Sequence, residues 1–129
     1  MKKSYDYDGA ESLVPLLRVL NREIQERSEA IRGASRQIRK LRASRRRLSG
    51  RELRHQVDCL RAEIANQKRE VRLAERELSQ LGCSVDATDP TTVLIPGRDG
   101  NLEGGYSWRP GDSHVHTLGD TRLYSMIDG

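Results

Sequence analysis

Two stretches of this chain carry the same seven-residue apolar rhythm, separated by a serine and a glycine. In the first, Leu17, Ile24, Ile31 and Ile38 occupy a positions, and Leu13, Leu20, Arg27, Ala34, Leu41 and Leu48 occupy d. In the second, a falls on Val57, Ile64, Val71 and Leu78, and d on Leu53, Leu60, Gln67, Ala74 and Leu81. Apolar spacing of 3.5 residues sustained over several heptads predicts helices that bury a narrow seam against a neighbour. No proline after Pro15 interrupts either stretch.

The break at Leu48-Ser49-Gly50-Arg51 decides how the two helices pair. Ser49, followed three residues later by Glu52, is a capping box that starts a new helix, and Gly50 permits a change of chain direction. Long helices joined by a short connection lie antiparallel. Folding about this point sets Ala34 opposite Ile64, Ile24 opposite Ala74, Ile31 opposite Gln67 and Arg27 opposite Val71, so large side chains face small or flexible ones. Arg27 and Gln67 at d positions then serve to fix register. For the first helix, Ser12 as N-cap places Pro15 in the first turn, where its missing N–H costs nothing. Asp8 with Glu11, or a kinked start near residue 9, are the alternatives. Leu81-Gly82 supplies the C-terminal glycine stop.

After Gly82 the period changes. Asp89-Pro90, Pro96-Gly97-Arg98-Asp99-Gly100 and Pro110-Gly111 are turn signals. Between them, residues 91–95 (Thr-Thr-Val-Leu-Ile), 103–109 with Tyr106 and Trp108, and 113–118 read as three short strands. The fold class expected is α+β: an antiparallel coiled-coil hairpin over residues 1–82, then a three-stranded antiparallel β-meander over 83–129, packed at the open end of the hairpin as a single structural unit. The off-seam residues Val14, Leu16, Val19 and Leu73 offer a docking surface, with Tyr106 and Trp108 as partners. With no Phe, one Trp and four Tyr, the chain lacks the aromatic area for a large spherical core.

Charge is distributed unevenly. Residues 36–54 hold Arg36, Arg39, Lys40, Arg42, Arg45, Arg46, Arg47, Arg51 and Arg54 against Glu52 alone, a balance of +8 that equals the whole positive excess of residues 1–82 in a chain of net charge +4. Such a cluster at the hairpin tip is a candidate phosphate-binding surface with salt-dependent affinity, although no aromatic side chain interleaves it for base stacking. The bland alternative is a solvated helix end. Asp112, His114 and His116 form a second candidate. On a strand, residues two apart share a face, and two imidazoles with a carboxylate are a recognised set for a divalent metal. No other cofactor is expected. Cys83 has no basic neighbour close by and is read as inert. Cys59 and Cys83 are separated by about 36 Å of helix at 1.5 Å per residue, too far for a bridge. Free thiols suit a reducing compartment, and no leader or spanning segment is recognisable, so a cytoplasmic location without membrane insertion is expected.

In its order of motifs the chain resembles an uncharacterised bacterial family, the domain of unknown function numbered 2203. The resemblance rests on Leu13-Val14-Pro15-Leu16-Leu17, Leu81-Gly82-Cys83, Val93-Leu94-Ile95-Pro96, Asp99-Gly100, Tyr106-Ser107-Trp108 and Gly111-Asp112. The family pattern continues to a Trp-His pair; this chain has Leu118-Gly119 there, and His116 comes too early. The resemblance implies a fold and a cytoplasmic location and carries no activity.

The expected function is a non-enzymatic interaction or scaffold module with a protein partner or a second copy of itself. The alternative is nucleic-acid (RNA) binding through the arginine-rich tip, and a third reading is a metal-dependent activity at Asp112, His114 and His116.

Overall fold

The computed structural model describes residues 3–44 and 49–118. The heptad pattern becomes two long helices, α1 over Tyr7–Ala43 and α2 over Gly50–Gln80, followed by strands β1 Ser84–Val85, β2 Val93–Ile95, β3 Tyr106–Trp108 and β4 His116–Thr117. This is an α+β chain built on a helical hairpin. No helix among the described residues is long and apolar enough to cross a membrane. The residues pack as two compact units, Met1–Asn21 with Arg76–Gly129, and Arg22–Glu75.

In the first unit, α1 begins earlier than a Ser12 cap would have it. Asp6 is the N-cap: its Oδ1 accepts the Gly9 N–H at 2.8 Å and its carbonyl accepts the Ala10 N–H at 2.9 Å. Pro15 therefore lies inside the helix, where it forfeits one backbone bond. That loss is tolerated because the extra turns bury Ala10, in line with Val14, Leu17 and Leu20. In the same unit, α2 closes as a Schellman motif. The Cys83 N–H donates to the Leu78 carbonyl at 3.0 Å and the Gly82 N–H to the Ser79 carbonyl at 2.9 Å, with Gly82 at φ 80°.

This turn sends the chain straight into a strand that the sequence reading did not anticipate. The sheet has four strands, not three, in the order β1-β2-β3-β4 and antiparallel throughout. Two residues are too few to show an alternating pattern, so β1 exists only through its pairing with β2. The third strand is also shorter than the expected 113–118: β4 begins at His116, leaving His114 outside it. Val93 and Ile95 face inward and pair with Trp108 and Tyr106. Trp108 is 1% exposed, and its Nε1–H donates to the Asp112 carbonyl at 3.0 Å. The Tyr5 hydroxyl donates to the Leu81 carbonyl at 2.8 Å and ties the N-terminal segment to the end of α2.

The residues expected to offer a docking surface differ in burial. Val14 and Trp108 are buried, but Leu16 and Val19 remain 40% and 61% exposed. Helical geometry explains this: Ala10, Val14, Leu17 and Leu20 form one stripe, and Leu16 and Val19 point away from it. Tyr106 meets Tyr7 edge-on instead, with ring centroids 6.2 Å apart. Leu73, in the other unit, is 49% exposed.

In the second unit, every described a and d residue of both helices is buried or half-buried. Ser49 caps α2 as expected, its hydroxyl accepting the Glu52 N–H at 3.2 Å. The two polar d residues meet each other: the Arg27 Nη1–H donates to Gln67 Oε1 at 3.0 Å. A half-buried guanidinium needs an acceptor, and the stem of Arg27 reaches along the seam to find one in Gln67.

Candidate functional site

The basic set divides into described and undescribed members. Arg36, Arg39, Lys40 and Arg42 occupy the last two turns of α1, and Arg51 and Arg54 the first two of α2; all six are exposed. Arg45, Arg46 and Arg47 lie outside the described residues, as does Leu48. Arg36 pairs with Glu29 at 3.0 Å, and Arg32 pairs with the same carboxylate at 2.9 Å, which holds Glu29 below its ordinary pKa, chiefly through Arg36. Arg39, Lys40, Arg42, Arg51 and Arg54 form no ion pair among the described residues. Among the described residues, these five cations face solvent with no carboxylate to neutralise them.

Beside them the hairpin has a shallow concavity of about 400 Å³, lined by Gln37, Lys40, Leu41, Gln56 and Leu60. Its floor is seam leucine left half-covered where two helices alone cannot close the groove. Further along the same helices Arg27 is bound by Glu23 at 3.1 Å and lies 3.9 Å from Glu70, in addition to its bond with Gln67.

The candidate metal set is separated by the fold. His116 Nε2 lies 3.5 Å from Asp112 Oδ2, whereas His114 Nδ1 lies 3.3 Å from Glu11 Oε2 on α1. The imidazoles take different carboxylates because β4 begins only at His116, so the two histidines do not share one strand face. Asp112 is further engaged: its Oδ2 accepts the Arg109 N–H at 3.1 Å, and its carbonyl receives Trp108 Nε1–H and, at 3.4 Å, Arg18. Among the described residues, no group of three or more His, Cys, Asp or Glu side chains is arranged to hold a metal ion.

Glu11 is the residue that sequence reasoning missed. It was legible only as a helix-start carboxylate, yet its Oε1 accepts the Val115 N–H at 3.0 Å across 104 positions of chain. Its carboxyl is held below the ordinary value by the Tyr7 hydroxyl first, then by Val115 and His114. Tyr7 is raised for the same reason, its hydroxyl bonded to Glu11. No local pattern announces a contact between α1 and the segment before β4. The other conspicuous side chain, Cys83, is buried, and desolvation pushes its thiol up to about 11; Cys59 is exposed, with Sγ 3.8 Å from His55 Nε2.

No curated protein and no solved structure matches this chain. The sequence profile of one family does. That family, described as an uncharacterized conserved protein (DUF2203), matches residues 3–120, and the chain belongs to it.

Proposed function

We propose that this protein is a non-enzymatic interaction module whose working surface is the helical hairpin, engaging a second helical element, foremost another copy of itself. The observation that carries this reading is the seam of the Arg22–Glu75 unit. Ile24, Ile31, Ile38, Leu41, Leu53, Leu60, Ile64 and Val71 are all only half-buried, and Leu41 and Leu60 floor an open concavity. Apolar area left uncovered along a helix pair favours a further helix laid into the groove. Light scattering over a wide concentration range tests it. A mass above the monomer that falls on dilution, and that Leu60→Glu lowers while helix content stays constant, is expected. A monomer throughout, with no protein cross-linked to the hairpin in native extract, overturns it. Free thiols at Cys59 and Cys83 support a reducing, cytoplasmic setting.

A second reading, nucleic-acid binding through the tip, is favoured by Arg39, Lys40, Arg42, Arg51 and Arg54, which stand exposed with no ion pair among the described residues. Affinity for RNA that falls steeply with salt, and is lost when Arg45, Arg46 and Arg47 become Ser, is the expected result. Binding that the triple substitution leaves unchanged rejects it.

A further inference from the structure

Charge on the hairpin is sorted by side. One side is fixed by contacts: Gln37, Lys40 and Gln56 line its concavity, and Arg27 reaches Glu23 and Glu70 along it. Glu63 stands seven residues from both Gln56 and Glu70, so helical periodicity places it there too. Across the seam the other side carries Arg39 and Arg42 on α1, and Arg54, Arg61 and Lys68 on α2, all exposed and none in an ion pair among the described residues. Arg54, Arg61 and Lys68 repeat every seven residues and form one row in steps of about 10.5 Å.

Such a row is an unfavourable way to build a solvated helix. Arg39 with Arg42, Arg51 with Arg54, and Lys68 with Arg72 are like charges three or four residues apart, which oppose helix formation. Elsewhere the hairpin relieves such repulsion, as Glu29 does between Arg32 and Arg36. Asp58 and Glu75 lie on the basic side, yet neither forms an ion pair among the described residues.

We propose that this row, together with Arg39 and Arg42, grips the phosphate backbone of a double-stranded nucleic acid without reading its bases. The inference rests on the nucleic-acid reading above; it names the ligand class and extends the site along α2. Residues 22–75 contain no Phe, Tyr or Trp, so the stacking that holds a single strand is missing. A straight row of guanidinium groups suits a stiff array instead, and a duplex presents one phosphate charge about every 1.7 Å along its axis, so no special register is needed.

Fluorescence anisotropy with a labelled duplex and a single strand of equal length, between about 50 and 200 mM salt, tests it on the full chain. Substituting Arg54, Arg61 and Lys68 together by Gln is expected to weaken duplex binding at least ~10-fold. It should also reduce the slope of log affinity against log salt by about 2.7, or 0.9 per contact. Glu63→Gln, on the opposite side, is expected to leave both unchanged. Should the triple variant lose helix content, the three single substitutions serve, each lowering the slope by about 0.9. If the unaltered protein binds no nucleic acid, the parent reading falls and this one with it. If the Ser substitutions at Arg45, Arg46 and Arg47 abolish binding while the Gln row leaves it intact, or if the single strand binds more tightly, this inference alone is overturned. Retention of an acidic protein by the row, in place of any duplex, overturns it equally.

Discussion

Arg27 and Gln67, forty residues apart and the two polar side chains of an otherwise apolar seam, are hydrogen-bonded to each other at 3.0 Å. Each satisfies the other where neither would be satisfied by the isoleucine or valine across from it. Glu23 and Glu70 then share the guanidinium charge. The pairing fixes which turn of α1 meets which turn of α2, because a slide by one heptad would leave both groups facing apolar neighbours.

The first prediction follows from that pair. Gln67→Ala alone is expected to destabilise by about 1 kcal/mol, since Arg27 keeps its carboxylates. Replacing both Arg27 and Gln67 by Leu is expected to be neutral or stabilising, while broadening the distribution of oligomers. A double-mutant cycle by chemical denaturation with mass analysis checks both; additive single effects would show that the two residues are not coupled.

Two glycines should respond oppositely to the same substitution. A Cβ on Gly105 would overlap the Ile95 carbonyl oxygen across the hairpin between β2 and β3, so Gly105→Ala is expected to cost about 3 kcal/mol. Gly33 lies inside α1 with only the Arg36 guanidinium near its missing Cβ, at 3.7 Å, so Gly33→Ala is expected to gain about 1 kcal/mol. Melting temperatures of the two variants decide this, and a tolerated Gly105→Ala would contradict the close backbone approach.

Glu11 makes stability depend on acid. Its carboxyl titrates below its ordinary value of 4.5 in the folded chain. The stabilisation is therefore fully present above that value and is lost as pH falls through the lower, folded one. Glu11→Gln, which keeps the shape and removes the charge, should flatten the acid limb of a plot of melting temperature against pH. An unchanged limb would mean that other carboxylates, such as Asp89, dominate it.

The cysteines are expected to differ in reactivity. Cys59 is exposed, whereas Cys83 is buried with its thiol raised to about 11, and the thiolate is the reacting form. Near neutral pH an alkylating reagent should modify Cys59 first, and Cys83 only after denaturant is added. Peptide mapping of a time course reads this directly, and equal labelling rates would refute the burial of Cys83.

The sequence by itself determined the helices, because their signals are local and repeat: the a and d residues from Leu13 to Leu81, the Ser49 cap and the Gly82 stop each act within a few residues of themselves. It also set the imbalance of charge, since Arg36 to Arg54 stand together in the chain. Only the tertiary structure decided what depends on distant partners. Asp6 and not Ser12 starts α1 because the added turns bury Ala10 and bring Glu11 to Val115, which outweighs the bond that Pro15 forfeits. β1 exists because β2 is beside it, and His114 faces Glu11 rather than the carboxylate nearest in sequence. A periodic pattern reveals which face of a helix seeks cover, but the choice of partner depends on how the chain closes loops of tens of residues, and no short stretch of sequence encodes that.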